Sequence, residues 1–385
     1  MNSLELIEII GRGEDSKHQF KKDINNAVSL AGEMIAFSNA KGGMIIIGVE
    51  DNGEPIGLTQ EDISRLNQLI SNAASNNVKN PINPITENIN IGDKTLIVVH
   101  IAEGGDKPYM DNTGVTWIKS GSDKRRVTSR EELRRLFQNS DLVHADEVPV
   151  TGTTENDIDI EYFKNFYQEN YEESIEFAGL PLIHLLNNLN LAVESKLNIA
   201  GLLLFGKEPA IYKSAFIIKA VRFIGNDATG DKYSDSVDIK GKLKIQFEGA
   251  IDFIKRNLKY PQQDKGINSL GELEIPLIVF EELVVNAIIH RDYFINAPIR
   301  IFVFDNRIEI ISPGKLPNNL TIENIKSGNS NIRNDILTSF ATKVLPYRGI
   351  GTGIRRAIKN YPNIEFENNR DGETFTVIIK RRDDL

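Results

Sequence analysis

FEELVVNAIIHRD, residues 280–292, decides how the C-terminal half of the chain is read. Phe280, Leu283, Val284, Ala287 and Ile288 recur at helical spacing, which predicts a helix with one face against a core. Pro276, shortly upstream, suits a first helical turn. Glu282, Asn286 and His290 fall four residues apart, so they form one polar stripe along the same helix. A line of carboxylate, amide and imidazole on an otherwise apolar helix predicts that this side faces a wet cavity while the opposite side packs on a sheet.

The flanking segments supply that sheet. Upstream, SAFIIKAVRFIG reads as a strand and KLKIQFEGAIDFIKRNLK as a long helix. Downstream, PIRIFVFDNRIEIIS reads as a hairpin about Asp305-Asn306, and FENNRDGETFTVIIKR as a closing hairpin. Between them, YRGIGTGIRRAIKN is a glycine-rich loop running into a helix. Gly349, Gly351 and Gly353 would let backbone N–H groups approach a phosphate, and the helix from Ile354 adds its positive end. A carboxylate such as Glu282 can orient or deprotonate an attacking water. An amide oxygen such as that of Asn286 is a modest Mg²⁺ ligand. Taken singly, the same motifs also suit a solvent-facing Glu282 and a tight glycine turn.

The N-terminal half reads as a separate α/β unit. NAVSLAGEMIAFSNA is helical, with Val28, Ala31, Met34, Ile35 and Phe37 facing inward. GGMIIIGVEDNG follows as a buried strand ending in an Asp51-Asn52-Gly53 turn. A second helix opens at Thr59 with Asp62 in capping-box register. KTLIVVHIAEG and GVTWIKSG read as strands, and TSREELRRLFQ as a helix opened by Thr128 with Glu131. From 141, DLVHADEVPVTGTTENDIDIE holds seven acidic residues and no Lys or Arg, the composition of a solvated linker. The expected division is therefore residues 1–140, an acidic linker with connecting helices over 141–195, and a second domain over 196–385.

Bulk properties narrow the function classes. The 385 residues are 40% hydrophobic and 26% charged, as in ordinary globular proteins. No apolar run reaches the ~18 residues of a membrane span, and MNSLELIEIIGRGEDS has no signal-peptide character. A cytoplasmic protein is expected. The absence of cysteine excludes disulfides, thiolate metal sites and a cysteine nucleophile. A net charge of -9 leaves nucleic-acid binding to a local patch. Residues 101–140 supply one, with eight Lys/Arg against six acids. Lys119 at a strand end and Lys124, Arg125 and Arg126 on a following loop suit phosphate contact, joined by Lys21. Arg130 to Arg135 read as a solvated helix face, and Trp117 as a core residue.

EELVVNAIIHRDY, IEIISPGKLP, NSNIRNDIL and RGIGTGI together resemble the C-terminal ATPase-type domain of the Schlafen/AlbA-like regulators, often labelled RecG-like or "divergent AAA" transcriptional regulators. That domain is similar to the GHKL (Bergerat) fold, an α/β sandwich. The resemblance implies ATP and Mg²⁺ as cofactors, Glu282 as the water-activating base, Asn286 as the metal ligand, and Gly314, Gly349, Gly351 and Gly353 around the nucleotide. Ser312 stands where such ATPases carry the adenine-reading Asp. GRGEDSKHQFKKD and AFSNAKGGMIIIGVEDNGEPIGL resemble the Schlafen/AlbA domain, and WIKSGSDKRRVTSREELRRL its last strand and closing helix. In the Schlafen branch two Glu and one Asp cut RNA with a divalent metal. By position these would be Glu14, Gln19 and Asp51, so one carboxylate is an amide here. The expected fold class is α/β and α+β in two domains. The expected function is a nucleotide-responsive DNA- or RNA-binding regulator, homo-oligomeric, with weak ATPase activity left open. A metal-dependent nuclease of Schlafen type, in anti-phage defence, and a scaffold with degenerate sites are the alternatives.

Overall fold

A computed structural model of the protein describes residues 1–140, 143–229, 232–261, 271–317 and 320–381, without the side chains of Asn139 and Ala178. The chain divides into two compact units, Met1–Val143 and His144–Leu385. Both are mixed α/β. Among the described residues no helix is long and apolar enough to cross a membrane.

The first unit begins with α1 (Ser3–Arg12), β1 (His18–Lys21), α2 (Ala27–Asn39), β2 (Gly43–Ile47) and α3 (Gln60–Asn76). A short strand, β3 (Val78–Lys79), precedes the hairpin β4 (Ile85–Ile91) and β5 (Lys94–Ile101). Then come β6 (Met110–Asp111), a second hairpin of β7 (Trp117–Ser120) and β8 (Asp123–Arg126), and α4 (Arg130–Asn139). The main sheet runs β1-β2-β5-β4, with β1 parallel to β2 and the rest antiparallel. Both faces are covered, which is why β2 reads as an unbroken apolar run. Ile45 and Ile47 pack with Met34 and Phe37 of α2 and Leu66 of α3, while Ile46 packs with Leu6 and Ile10 of α1.

Local signals account for most boundaries. Asn26 caps α2 by accepting from Val28 and Ser29, and Thr59 and Asp62 close a reciprocal capping box on α3. Three details differ from the sequence reading. Val28 is exposed in the first turn of α2, whereas Ala31, Met34, Ile35 and Phe37 are buried. Ser129, not Thr128, caps α4. Lys124 to Arg126 lie on a strand, because Gly121 at φ 64 allows a tight turn that pairs Trp117 with Arg126.

The second unit starts earlier than the acidic composition predicts. Residues 141–142, where the linker is expected to begin, lie outside the described residues. From 144 the chain is packed rather than solvated: Ala145, Val150, Ile158, Phe163 and Phe166 belong to the main core. The acids sit mostly at caps, as in the Thr154–Asp157 box and Asp159 at the start of α5 (Ile160–Tyr171). Composition averaged over both faces hides that alternation. Small elements follow: α6 (Ile175–Ala178), α7 (Leu182–Asn188), β9 (Ala192–Val193), β10 (Lys196–Leu197), α8 (Ile199–Phe205) and α9 (Pro209–Tyr212).

Next come β11 (Ile218–Phe223), β12 (Tyr233–Ile239), α10 (Leu243–Arg256) and α11 (Leu277–His290). The hairpin β13 (Ile299–Val303) and β14 (Arg307–Pro313) leads to α12 (Ile322–Lys326), α13 (Asp335–Val344) and α14 (Gly353–Asn360). β15 (Ile364–Asn369) and β16 (Thr374–Lys380) close the unit. The sheet order is β12-β11-β13-β14-β16-β15, antiparallel except for β11 with β13. α10 and α11 pack together on one face, and α11 also meets α14.

Candidate functional site

α11 carries the polar stripe, and its C-terminal end is tied down by side chains from elsewhere in the unit. A buried helix end must find donors for its last carbonyls. Here Ser312 Oγ donates to Ala287 O, Tyr293 Oη to Ile288 O, and Asn334 Nδ2 to Ile289 O and Arg291 O. Arg333 donates to His290 O and, at 2.7 Å, to Lys315 O. These bonds explain HRDY and NSNIRND as one clamp on the helix end. Arg291 is 2% exposed, bonds Ile295 O and Ala297 O, and lies against the rings of Phe216 and Tyr293.

The stripe faces a cavity of about 110 Å³, well above the ~10–15 Å³ that holds one water. Glu282, Asn286 and His290 line it, together with Ser312, Gly314 and the 347–354 loop. Leu283 and Ala287, expected on the packed face, line it too. Leu316, Phe366, Phe375 and Val377 form an apolar wall, and Arg348 and Arg356 a cationic rim.

Each polar group has a defined state. Glu282 is buried and ion-paired with Arg356. Burial holds its carboxyl above the usual range, more than Arg356 and Arg348 lower it. Asn286 Nδ2 donates to Glu282 O at 2.6 Å, which leaves Oδ1 as the atom available to a ligand. His290 is pushed down to about 4 by burial and then by Arg333, so it is a neutral imidazole at ordinary pH. Gly349 and Gly351 adopt φ 67 and 69, which favours glycine. A Cβ at Gly353 would lie 2.6 Å from Glu282 Oε2 and 3.0 Å from Asn286 Nδ2, so any larger residue there would push the stripe's side chains aside. Arg348 and Arg356 were not singled out from the sequence; their flanking of the glycine loop was the available signal.

The N-terminal candidates are arranged differently. Glu14 is exposed and accepts Phe20 N–H at 2.7 Å, capping the entry to β1. Asp51 is exposed in the turn after β2. Gln19 is buried, with Lys119 Nζ 3.3 Å from its Oε1. Lys119 also bonds Ser122 O and lies 4.7 Å from the Phe37 ring centroid. Burial holds its ammonium below the usual range against the pull of Glu33, Glu14 and Asp123. Lys124 meets Glu33 and Ser29 O, each at 3.0 Å, and Arg125 forms a fork with Glu132. Arg126 is exposed beside Trp117, with no carboxylate partner among the described residues. Lys21 is half-buried. Among the described residues no group of three or more His, Asp or Glu could hold a metal ion.

Parts of the chain match known families. Residues 14–128 match the family described as "Schlafen, AlbA_2", and residues 296–379 match "Putative ATP-dependent DNA helicase recG C-terminal". The chain joins a Schlafen AlbA_2 domain to a recG-type C-terminal domain. Residues 134–217 match a domain of unknown function, DUF8451. The Schlafen AlbA_2 match takes in Glu14, Gln19, Asp51 and the Lys119–Arg126 hairpin. The recG-type match takes in Ser312, Gly314 and the glycine loop, whereas Glu282, Asn286 and His290 precede it. Among solved structures, the DIP2311 protein from Corynebacterium diphtheriae is 21% identical over 98% of this chain and 80% of its own, with a TM-score of 0.47. The N-terminal domain of a putative ATP-dependent DNA helicase RecG-related protein from Nitrosomonas europaea is 23% identical over 34% of this chain and 96% of its own, with a TM-score of 0.27. No curated protein matches.

Proposed function

We propose that the protein is a nucleotide-responsive, nucleic-acid-binding regulator in which the recG-type domain takes a magnesium nucleoside triphosphate. One observation carries this reading: three segments far apart in sequence, the α11 stripe, the Ser312–Pro317 strand end and the 347–354 loop, line a single cavity. Its residues fit the ligand. The apolar wall suits a base, and the arginines and glycine N–H groups suit phosphates. Asn286 Oδ1 would hold the metal, Glu282 would orient water, and Ser312 and His290 would meet the base in place of an Asp. Bound Mg²⁺ would supply Lewis-acid polarisation of the phosphates. Nucleic acid would meet the Schlafen AlbA_2 domain at the Lys119–Arg126 hairpin and Lys21, and self-association of the chain would respond to nucleotide. The nuclease alternative draws less support, because an ammonium already lies on Gln19.

Calorimetry on the full chain tests the nucleotide half. MgATP is expected to give saturable, Mg²⁺-dependent heat, and Asn286→Ala to lose it by at least about tenfold without a change in melting. GTP is titrated beside ATP to fix base preference. No saturable heat at millimolar nucleotide overturns the reading. Anisotropy of labelled DNA and RNA, with sedimentation, each with and without MgATP, tests the rest.

A further inference from the structure

Glu282, the residue best placed to orient water, is already engaged by the chain itself. Its Oε1 is ion-paired with Arg356 Nη1, and the backbone of Gly353 closes on its Oε2. The carboxylate is 7% exposed and the guanidinium 24%, so the pair is largely withdrawn from solvent. With Oε1 held by the guanidinium and Gly353 close to Oε2, the carboxylate has little room left to orient a water. Arg356 sits in the first turn of α14, directly after the glycine loop, and its Nη2 reaches Thr352 Oγ1 at 3.5 Å. It therefore joins the stripe to the rim where phosphates would lie.

We propose that Arg356 has two positions: paired to Glu282 when no phosphate is present, and turned onto the phosphates of a bound nucleoside triphosphate, which releases Glu282 for its water. The inference rests on the nucleotide reading above and assigns Arg356 as the residue that makes the cavity discriminate a triphosphate from a nucleoside. Guanidinium and phosphate oxygens match as a fork, and phosphate carries more charge than one carboxylate. The exchange needs only side-chain rotation. It also sets a cost on binding, because the ligand must supply the free energy of breaking the resident pair.

That cost makes the inference testable by binding alone. Full-length wild type, Glu282→Gln, Arg356→Gln and the double variant are titrated with MgATP and with adenosine. Removing the carboxylate's charge frees Arg356, so Glu282→Gln is expected to tighten MgATP about three- to tenfold while leaving adenosine unchanged. Arg356→Gln is expected to weaken MgATP at least about tenfold, again sparing adenosine, and Arg356→Lys to restore part of it. In the Arg356→Gln background, Glu282→Gln is expected to add nothing. Wild-type binding that Glu282→Gln leaves unchanged or weakens overturns the two-position role and spares the nucleotide reading. Absence of nucleotide binding by the wild type overturns both. Melting curves accompany each variant; if Arg356→Gln does not fold, the sign of the Glu282→Gln effect decides alone.

Discussion

Lys119, Lys124 and Arg125 of the Schlafen AlbA_2 domain each lie against oxygen atoms of their own unit, in Gln19, Glu33 and Glu132. Arg348 and Arg356 of the recG-type domain instead rim a cavity, with Glu282 as the carboxylate paired to Arg356. In the first unit two of the cations that look like a patch in sequence, Lys124 and Arg125, are already ion-paired, whereas Lys119 meets a neutral amide and a carbonyl. In the second, residues spread from Glu282 to Val377 converge with a polar atom, Asn286 Oδ1, still open to a ligand. A buried amide shows the same contrast. Asn39 donates to Tyr109 O and Trp117 O and accepts Tyr109 N–H, whereas Asn334 donates to two carbonyls and keeps a buried Oδ1 without a partner among the described residues. Density of charge along a chain therefore does not tell which cations are already paired in three dimensions.

The sharpest way to break this contrast is at the clamp. Asn334→Ala would leave Ile289 O and Arg291 O buried without donors, and about 2–4 kcal/mol of stability is expected to go with them. MgATP binding is expected to fall with it, since the stripe is held from that end; paired denaturant melts and calorimetry check both.

Titration gives the next effect. Asp146 is buried, accepts Leu337 N–H at the start of α13, and burial, with Glu147 adding, pushes its carboxyl from 3.8 up to about 6. Its folded form keeps a proton that the unfolded form loses, so its contribution falls as pH rises from about 4 to 6. His290 acts in the opposite sense. Its folded value of about 4 lies below 6.5, so its contribution falls as pH drops through that interval. The two offset one another. Asp146→Asn keeps an oxygen for Leu337 and is expected to raise stability at pH 7 by ~1–3 kcal/mol. It should also expose an acid-side loss due to His290. Denaturant melts at several pH values check this; an unchanged pH profile would count against it.

The smallest effects are expected on the hairpin. Arg126→Ala should weaken nucleic-acid binding and lower the salt slope by about one phosphate contact, while Arg125→Ala does less because Glu132 already holds it. Glu132→Gln should strengthen binding by freeing Arg125. Equal losses for both arginines would show that the pairing seen here does not govern the surface.

Much of the fold was legible because its signals are local. Helical spacing marked α11, Thr59 and Asp62 marked the start of α3, and Asp305-Asn306 marked the β13–β14 turn. The stripe itself, with Glu282, Asn286 and His290 on one line, followed from 3.6 residues per turn alone. The linker reading was misled at 144–161, where acids at caps masked Val150, Ile158 and Phe163 beneath them. Periodicity says which face of a helix a residue occupies, but not what lies opposite that face. That Arg356 closes on Glu282, that Arg333 and Asn334 hold the end of α11, and that Lys119 rests on Gln19 were decided only in the tertiary structure. Each pairing joins residues 43 to 100 positions apart, and no local rule of geometry or propensity reaches that far.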